Sequence, residues 1–255
     1  METKYIDVMN RYEIKYILSP IQYEQIRGVI EEHGFHIDEY GQTSIMSVYY
    51  DTPNNLLIRT SLAKPNFKEK IRLRSYGLAK DREKSTVYLE LKRKAKGLVY
   101  KRRISSTIDI CEKFMNYQGG IGNGQIAKEI IYFRNYYKTL VKNYLIIYER
   151  EAFKGKDASG IRITFDRNCR YRNTNVDLTS SLDGNLIIGD KIIMEIKVLN
   201  ALPIWLVTAL SNFHIYKGSF SKYGTAFRIE ELKDIQRRQK LWVNSFQASS
   251  QMKQM

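Results

Sequence analysis

The chain has 255 residues, with 42 Lys and Arg against 27 Asp and Glu, for a formal net charge of +15. At 43% hydrophobic and 27% charged it is globular material with length enough for a sizeable core, not a disordered tail or a fibre. Its longest apolar stretch, 202–210, is far short of the roughly 20 residues that span a bilayer; the start carries Glu2 and Asp7 with no apolar signal segment, Cys111 and Cys169 cannot make a disulfide framework, and three histidines without a Cys-x-x-Cys argue against a zinc site.

In chain order, alternation predicts a strand at about 11–17. Ser19 then reads as an N-cap and Pro20 as a first helical residue, with Ile21, Ile26, Val29 and Ile30 on roughly one face until Gly34. Strands are expected at 44–50, 56–60, 67–76, 86–94 and 98–104, and helices at about 108–117 and 125–139. Further strands are expected at 143–152, 161–166 and 191–198, then a helix at about 202–213 and a polar helical tail after Thr225. Pro53-Asn54-Asn55, Lys96-Gly97 and Asp183-Gly184 supply turn chemistry. Nothing divides the composition, so a single α+β domain over 1–255 is expected, dominated by an antiparallel sheet or barrel.

The strands carry charge with period two. Arg11, Glu13 and Lys15 share one face, and Tyr12, Ile14 and Tyr16 the other; Arg72 and Arg74 oppose Ile71 and Leu73. Tyr88, Glu90, Lys92 and Lys94 oppose Val87, Leu89 and Leu91, while Tyr148 and Arg150 oppose Ile147 and Glu149. Arg162, Thr164 and Asp166 oppose Ile161, Ile163 and Phe165, and Glu195 shares a face with Lys197. A sheet with one wet face gives the same alternation. Yet the charges are mainly Arg and Lys and recur as charge-x-charge on strand after strand, which suits a concave, solvated channel receiving a polyanion. In 98–104 either Lys101 and Arg103 or Arg102 faces that channel; Lys101 and Arg103 are placed inward.

Other motifs carry less. The run Gly119 to Gln125 lacks the Lys-Ser/Thr of a phosphate-binding loop and reads as a loop before a helix. His33, His36 and His214 read as surface or packing residues, 79–84 as a solvated loop of mixed charge, and Arg237-Arg238-Gln239-Lys240 as a helix surface. Nucleic-acid binding is not expected, because the cations alternate with apolar residues instead of forming exposed stripes with stacking aromatics.

The ordered set Arg11-x-Glu13-x-Lys15, Arg72-x-Arg74, Glu90-x-Lys92, Tyr148-x-Arg150, Arg162-x-Thr164-x-Asp166, Glu195-x-Lys197 and Ser221-Lys222-Tyr223 resembles the VTC domain. That family is the polyphosphate polymerase branch of the CYTH/triphosphate tunnel metalloenzyme superfamily, and the resemblance runs from about residue 8 to 228. It implies an antiparallel eight-stranded barrel, or tunnel, with flanking helices. Lys15, Arg72, Arg74, Lys92, Lys101, Arg150, Arg162 and Lys222 would contact phosphates, with Arg103, Tyr148, Lys197 and Ser221 completing the substrate-binding set. Glu195 would be the main ligand of a divalent metal, Mn²⁺ or Mg²⁺, with Glu13 and Glu90 as further candidates. Hydrolase and cyclase branches start Glu-x-Glu-x-Lys, whereas Arg11 stands at the first acidic position here; that departure favours the more basic polymerase branch.

The expected activity is transfer of the γ-phosphoryl group of ATP to a growing inorganic polyphosphate chain. Arg72, Arg74, Lys15 and Glu195 are its candidate catalytic residues. The alternatives are an inorganic or nucleoside triphosphatase of the same fold, and a non-catalytic binder of polyphosphate or another polyanion. A cytoplasmic location is expected from the cysteine usage and the lack of a signal, and the resemblance allows a membrane-protein partner.

Overall fold

The computed structural model describes residues 12–96, 98–155 and 160–252. Arg11 lies outside them. The strands are β1 (Tyr12–Leu18), β2 (Phe35–Asp51), β3 (Phe67–Tyr76), β4 (Val87–Ala95), β5 (Leu98–Ser106), β6 (Val141–Gly155), β7 (Arg162–Arg172), β8 (Asn185–Leu186), β9 (Ile192–Val198) and β10 (Lys217–Gly218). The helices are α1 (Pro20–Glu32), α2 (Leu56–Leu62), α3 (Ile108–Met115), α4 (Gln125–Tyr137), α5 (Ile204–Asn212) and α6 (Lys222–Met252).

All strands join one antiparallel sheet in the order β10-β1-β9-β7-β6-β2-β3-β4-β5, with β8 paired to β7. The α+β class and antiparallel sheet match the expectation from sequence; the strand count and closure differ. Among the described residues ten strands replace the expected eight, two of them only two residues long, and no pairing joins β5 to β10. The sheet nevertheless curls on itself. Lys70 of β3 donates to Ser221 Oγ at 3.4 Å and Lys15 of β1 to the Phe220 carbonyl at 3.5 Å, so residues 220–222 span the gap between the two arms.

Period-two sorting builds both sides. Outward, Val48, Ile71, Leu73, Leu89, Leu91, Leu145 and Ile147 pack under α3 and α4. Tyr16, Leu18, Ile163, Phe165, Met194 and Ile196 pack against α1 and α5. A third cluster, built on Ile45, Tyr144, Ile146, Tyr148 and Ile193, fills part of the inner side against α2 and the start of α6. The rest of the inner side is charged.

The capping reading of α1 holds: the Ser19 hydroxyl accepts from Gln22 N at 3.2 Å, and Gln22 Oε1 accepts from Ser19 N at 3.0 Å. The strand expected at 56–60 is instead helix α2. Asp51 supplies the reason: its carboxylate accepts from Leu57 N at 2.8 Å and Ile58 N at 2.9 Å, while Thr52 Oγ1 accepts from Leu56 N at 2.9 Å. Those bonds satisfy the orphan donors of a helix start, which a strand would leave to a neighbour. Alternation also under-reads β2 and β7, which extend well beyond 44–50 and 161–166.

The loop at 79–84 is not merely solvated. Arg82 gathers Asp109 at 2.9 Å, Glu112 at 2.6 Å and Asp177 at 2.8 Å, tying the β3–β4 connection to α3. His33 stacks on Trp205 with ring centroids 4.1 Å apart, a packing role.

Candidate functional site

Two ionic clusters and a set of lysines outside them make up the charged part of the inner face. The first cluster centres on Glu90, which is 2% exposed. Its carboxylate accepts from Arg72 Nε at 2.8 Å, Lys101 Nζ at 2.8 Å and Arg103 Nε at 2.8 Å, with Arg74 Nε at 3.8 Å. Burial opposes the Glu90 charge, but Arg72, Arg74 and Lys101 outweigh it and hold the carboxyl far below its usual range. Arg102 points the other way and donates to Glu129 of α4 at 3.0 Å, which resolves the β5 ambiguity with Lys101 and Arg103 inward. Tyrosine hydroxyls fix the arginine planes. Tyr49 accepts from Arg72 Nη1 at 2.9 Å, Tyr148 from Arg74 Nη2 at 3.1 Å and Tyr76 from Arg103 Nη2 at 3.0 Å. Burial raises the Tyr49 hydroxyl, yet Arg72, Lys70 and Arg74 bring it down to about 8.

The second cluster joins β1, β9, β7, β6 and the first residue of α6. Asp166 is fully buried and accepts from Arg150 at 2.5 and 2.7 Å and from Lys222. Glu195 pairs with Lys15 at 2.8 Å and lies 3.7 Å from Arg150; Glu13 reaches the same Lys15 at 3.3 Å. Burial works against each charge, but the attraction wins: Glu195 and Asp166 sit below the usual carboxylate range, and Lys15 and Lys222 above the usual ammonium range. Tyr148 lies between the clusters, its ring 4.3 Å from Lys222 Nζ while its hydroxyl holds Arg74.

Lys92 and Lys197 make no ion pair among the described residues, and Lys70 meets the Ser221 hydroxyl at 3.4 Å, the Tyr223 ring and the field of the Tyr49 hydroxyl. Burial drives Lys70 down to about 8, with Lys68, Lys92 and Lys15 adding repulsion. Burial lowers Lys197 against the pull of Glu13 and Glu195, with Arg150 and Lys92 adding repulsion. Lys15 and Lys70 reach the adjacent residues Phe220 and Ser221, so β1 and β3 face each other across a shared space.

Of the residues expected from sequence, Arg72, Arg74, Glu90, Lys92, Lys101 and Arg103 meet on one arm, and Lys15, Arg150, Glu195, Lys197 and Lys222 on the other. Ser221 bridges the two arms. Tyr148 is buried and positions arginine. Arg162 sits at the edge, half exposed and tied to Asp38 at 2.9 Å. The three candidate metal ligands are not brought together: Glu13 and Glu195 flank Lys15, whereas Glu90 is enclosed by its own cations. Lys70, Asp166, Tyr49 and Ser47, whose hydroxyl accepts from Arg74 Nε at 3.3 Å, join the site without being among the residues expected from sequence. Lys70 shares parity with Arg72 and Arg74, so alternation alone carries its signal. A separate cavity of about 470 Å³ lies between α2 and α6, lined by Asn55, Arg59, Tyr144, Phe227, Glu230 and Arg237 among others, and shares none of these charges.

The model of the VTC domain matches residues 10–230. The chain belongs to the VTC domain family. No curated protein is significantly similar to it. Among solved structures, a candidate adenylate cyclase from Vibrio parahaemolyticus is 12% identical with a TM-score of 0.49, covering 85% of this chain and 97% of its own. A candidate adenylate cyclase from Bacillus halodurans is 13% identical with a TM-score of 0.49, covering 84% and 96%. The PH1819 protein of Pyrococcus horikoshii is 14% identical with a TM-score of 0.45, covering 86% and 99%. No helix among the described residues of this VTC domain is long and apolar enough to cross a membrane.

Proposed function

We propose that this VTC domain transfers the γ-phosphoryl group of ATP to the end of an inorganic polyphosphate chain within the curled sheet. The carrying observation is the crowding of Lys70, Lys92 and Lys197, cations from both arms that make no ion pair among the described residues and share only the field of Glu13 and Glu195, beside Arg72 and Arg74. Lys92 stays exposed, but holding the partly buried Lys70 and Lys197 out of water is costly unless a counter-charge arrives. An extended polyanion supplies one.

In the proposed reaction a terminal chain oxygen bonds to the γ-phosphorus, the bond to the β,γ-bridging oxygen breaks, and ADP leaves with that electron pair. The attacking oxygen is already anionic, so no general base is needed, in keeping with histidines that only pack or lie outside the face. Positioning and charge stabilisation supply the catalysis. Arg72 and Arg74 stand about 7 Å apart along β3, and the hydroxyls of Tyr49 and Tyr148 aim them at adjacent phosphates. Arg150 and Lys222, braced on Asp166, hold the opposite side.

Glu13 and Glu195 fit a hard divalent cation, since two carboxylates already converge on one positive group, the Lys15 ammonium. No third His, Cys, Asp or Glu joins them among the described residues, so phosphate oxygens and water would complete the shell. Mn²⁺ or Mg²⁺ bound there would neutralise charge on the phosphates. Glu90 does not fit that role, because its cations occupy both of its oxygens.

Incubation of the purified protein with ATP and Mn²⁺ is expected to yield ADP and a polymer visible by gel staining, and an Arg72→Ala/Arg74→Ala variant is expected to lose at least about 100-fold in rate. Orthophosphate release from tripolyphosphate without chain growth would replace transfer with hydrolysis. Tight polyphosphate binding without turnover would make the domain a binder.

A further inference from the structure

The β3–β4 hairpin has two faces with opposite charge economies. On the outer face, Glu69 opposes Arg93 across the ladder and pairs with it, and Glu129 of α4 receives both Arg93 and Arg102. On the inner face the same two strands oppose Lys70 to Lys92 and, one step farther from the β3–β4 turn, Lys68 to Lys94. Like charges directly opposite in a ladder are destabilising. Yet none of these four lysines makes an ion pair among the described residues; Lys68 has only the Ser61 carbonyl, at 3.4 Å. Burial together with Lys94, Lys64 and Lys92 lowers Lys68 below the usual ammonium range. This lysine row therefore continues in line with Arg72 and Arg74 past Lys92, on which Glu13 acts, and only its far end, Lys68 and Lys94, has no carboxylate partner among the described residues. Four residues of strand separate Lys68 from Arg72, roughly 13 Å, which is more than a triphosphate spans.

We propose that Lys68 and Lys94 form a second binding segment, a track on the hairpin that holds the part of an inorganic polyphosphate chain lying beyond the phosphates at Arg72 and Arg74. It rests on the proposed function in naming the same polymer, but makes its own demand: it distinguishes long chains from short ones. Lysine suits such a track, because a mobile point charge follows successive phosphates without fixing their orientation.

The test compares a Lys68→Ala/Lys94→Ala variant with the unaltered protein, measuring equilibrium binding of tripolyphosphate and of a chain of many tens of phosphates over a series of salt concentrations. A Lys80→Ala/Lys84→Ala variant, in which two exposed lysines away from this face are removed, controls for lost net charge. The expected result is about tenfold weaker long-chain binding with a shallower salt dependence in the hairpin variant alone, and unchanged tripolyphosphate binding. Equal loss for both ligands, equal loss in the control, or no loss at all would overturn the track. Preference of the hairpin lysines for single-stranded nucleic acid over polyphosphate would overturn it as well. Failure of the unaltered protein to bind either phosphate ligand would instead remove the proposed function beneath it.

Discussion

Glu90 stands alone against Arg72, Arg74, Lys101 and Arg103, and that imbalance makes its charge costly to remove. Glu90→Gln leaves buried cations without their anion and is expected to lower stability by about 3 kcal/mol in denaturant titration; added polyphosphate should restore much of it, having taken over the counter-charge. The same carboxylate makes stability depend on acid. Its folded form titrates below the ordinary value of 4.5, so the folded protein binds fewer protons than the unfolded chain through that range. Glu90's contribution is therefore present above the ordinary value and lost as the pH falls toward the folded one, a loss that thermal melts should show and Glu90→Gln should reduce. Lys70 gives the opposite handle. With its ammonium brought down to about 8 by burial, the free site loses this cation as pH rises through that value, and phosphate affinity should fall with it. Lys70→Arg keeps the charge and is expected to flatten that part of the pH profile in calorimetric titrations. Lys70 was legible from parity alone. Asp166 was seen on the right face, but its role depends on Lys222, which lies 56 residues away and reaches it only through the fold.

At the scale of elements, α2 shows why a short alternating run misleads. Leu56 to Thr60 is compatible with a strand by pattern, and only the fate of its backbone donors decides. Asp51 and Thr52 are helix-capping residue types standing just ahead of the run, so the deciding signal was present in the sequence. What it did not disclose is the third partner: Tyr223 of α6 donates to Asp51 at 2.8 Å. Gly224 completes that junction, because a Cβ there would come within 3.0 Å of Leu62. Asp51→Ala is thus expected to cost about 3 kcal/mol, since two amide donors and a buried hydroxyl lose their acceptor. It should also weaken tripolyphosphate binding, because Tyr223 directly follows Ser221 and Lys222. Equilibrium unfolding alongside binding measurements checks both effects. The strand faces were the most legible feature. The ends of β2 and β7 were not, because their outer portions carry mixed polar residues without clean alternation.

For the whole molecule, an interior lined with excess positive charge predicts that ligand binding is also a folding force. Tripolyphosphate at about 100 times its dissociation constant should add about 2.7 kcal/mol to stability, raising the melting temperature, whereas orthophosphate at equal concentration should do far less. The gain should shrink as salt is added. Charge and alternation made the curled, basic sheet readable in outline. The open seam between β5 and β10 was not, since strand order depends on contacts between segments far apart in the chain.

Residues 217–222 close that arrangement: β10 adds to the edge of β1, and Ser221 and Lys222 meet β3 and Asp166. During synthesis on the ribosome, β1 emerges roughly two hundred residues before β10, which covers the edge of β1 that β9 leaves open. Until then Asp166 lacks one of its two cations and the strand edge of β1 is bare. Nascent chains are consequently most exposed to mispairing late in translation, and a slow final folding step of high contact order is the natural outcome.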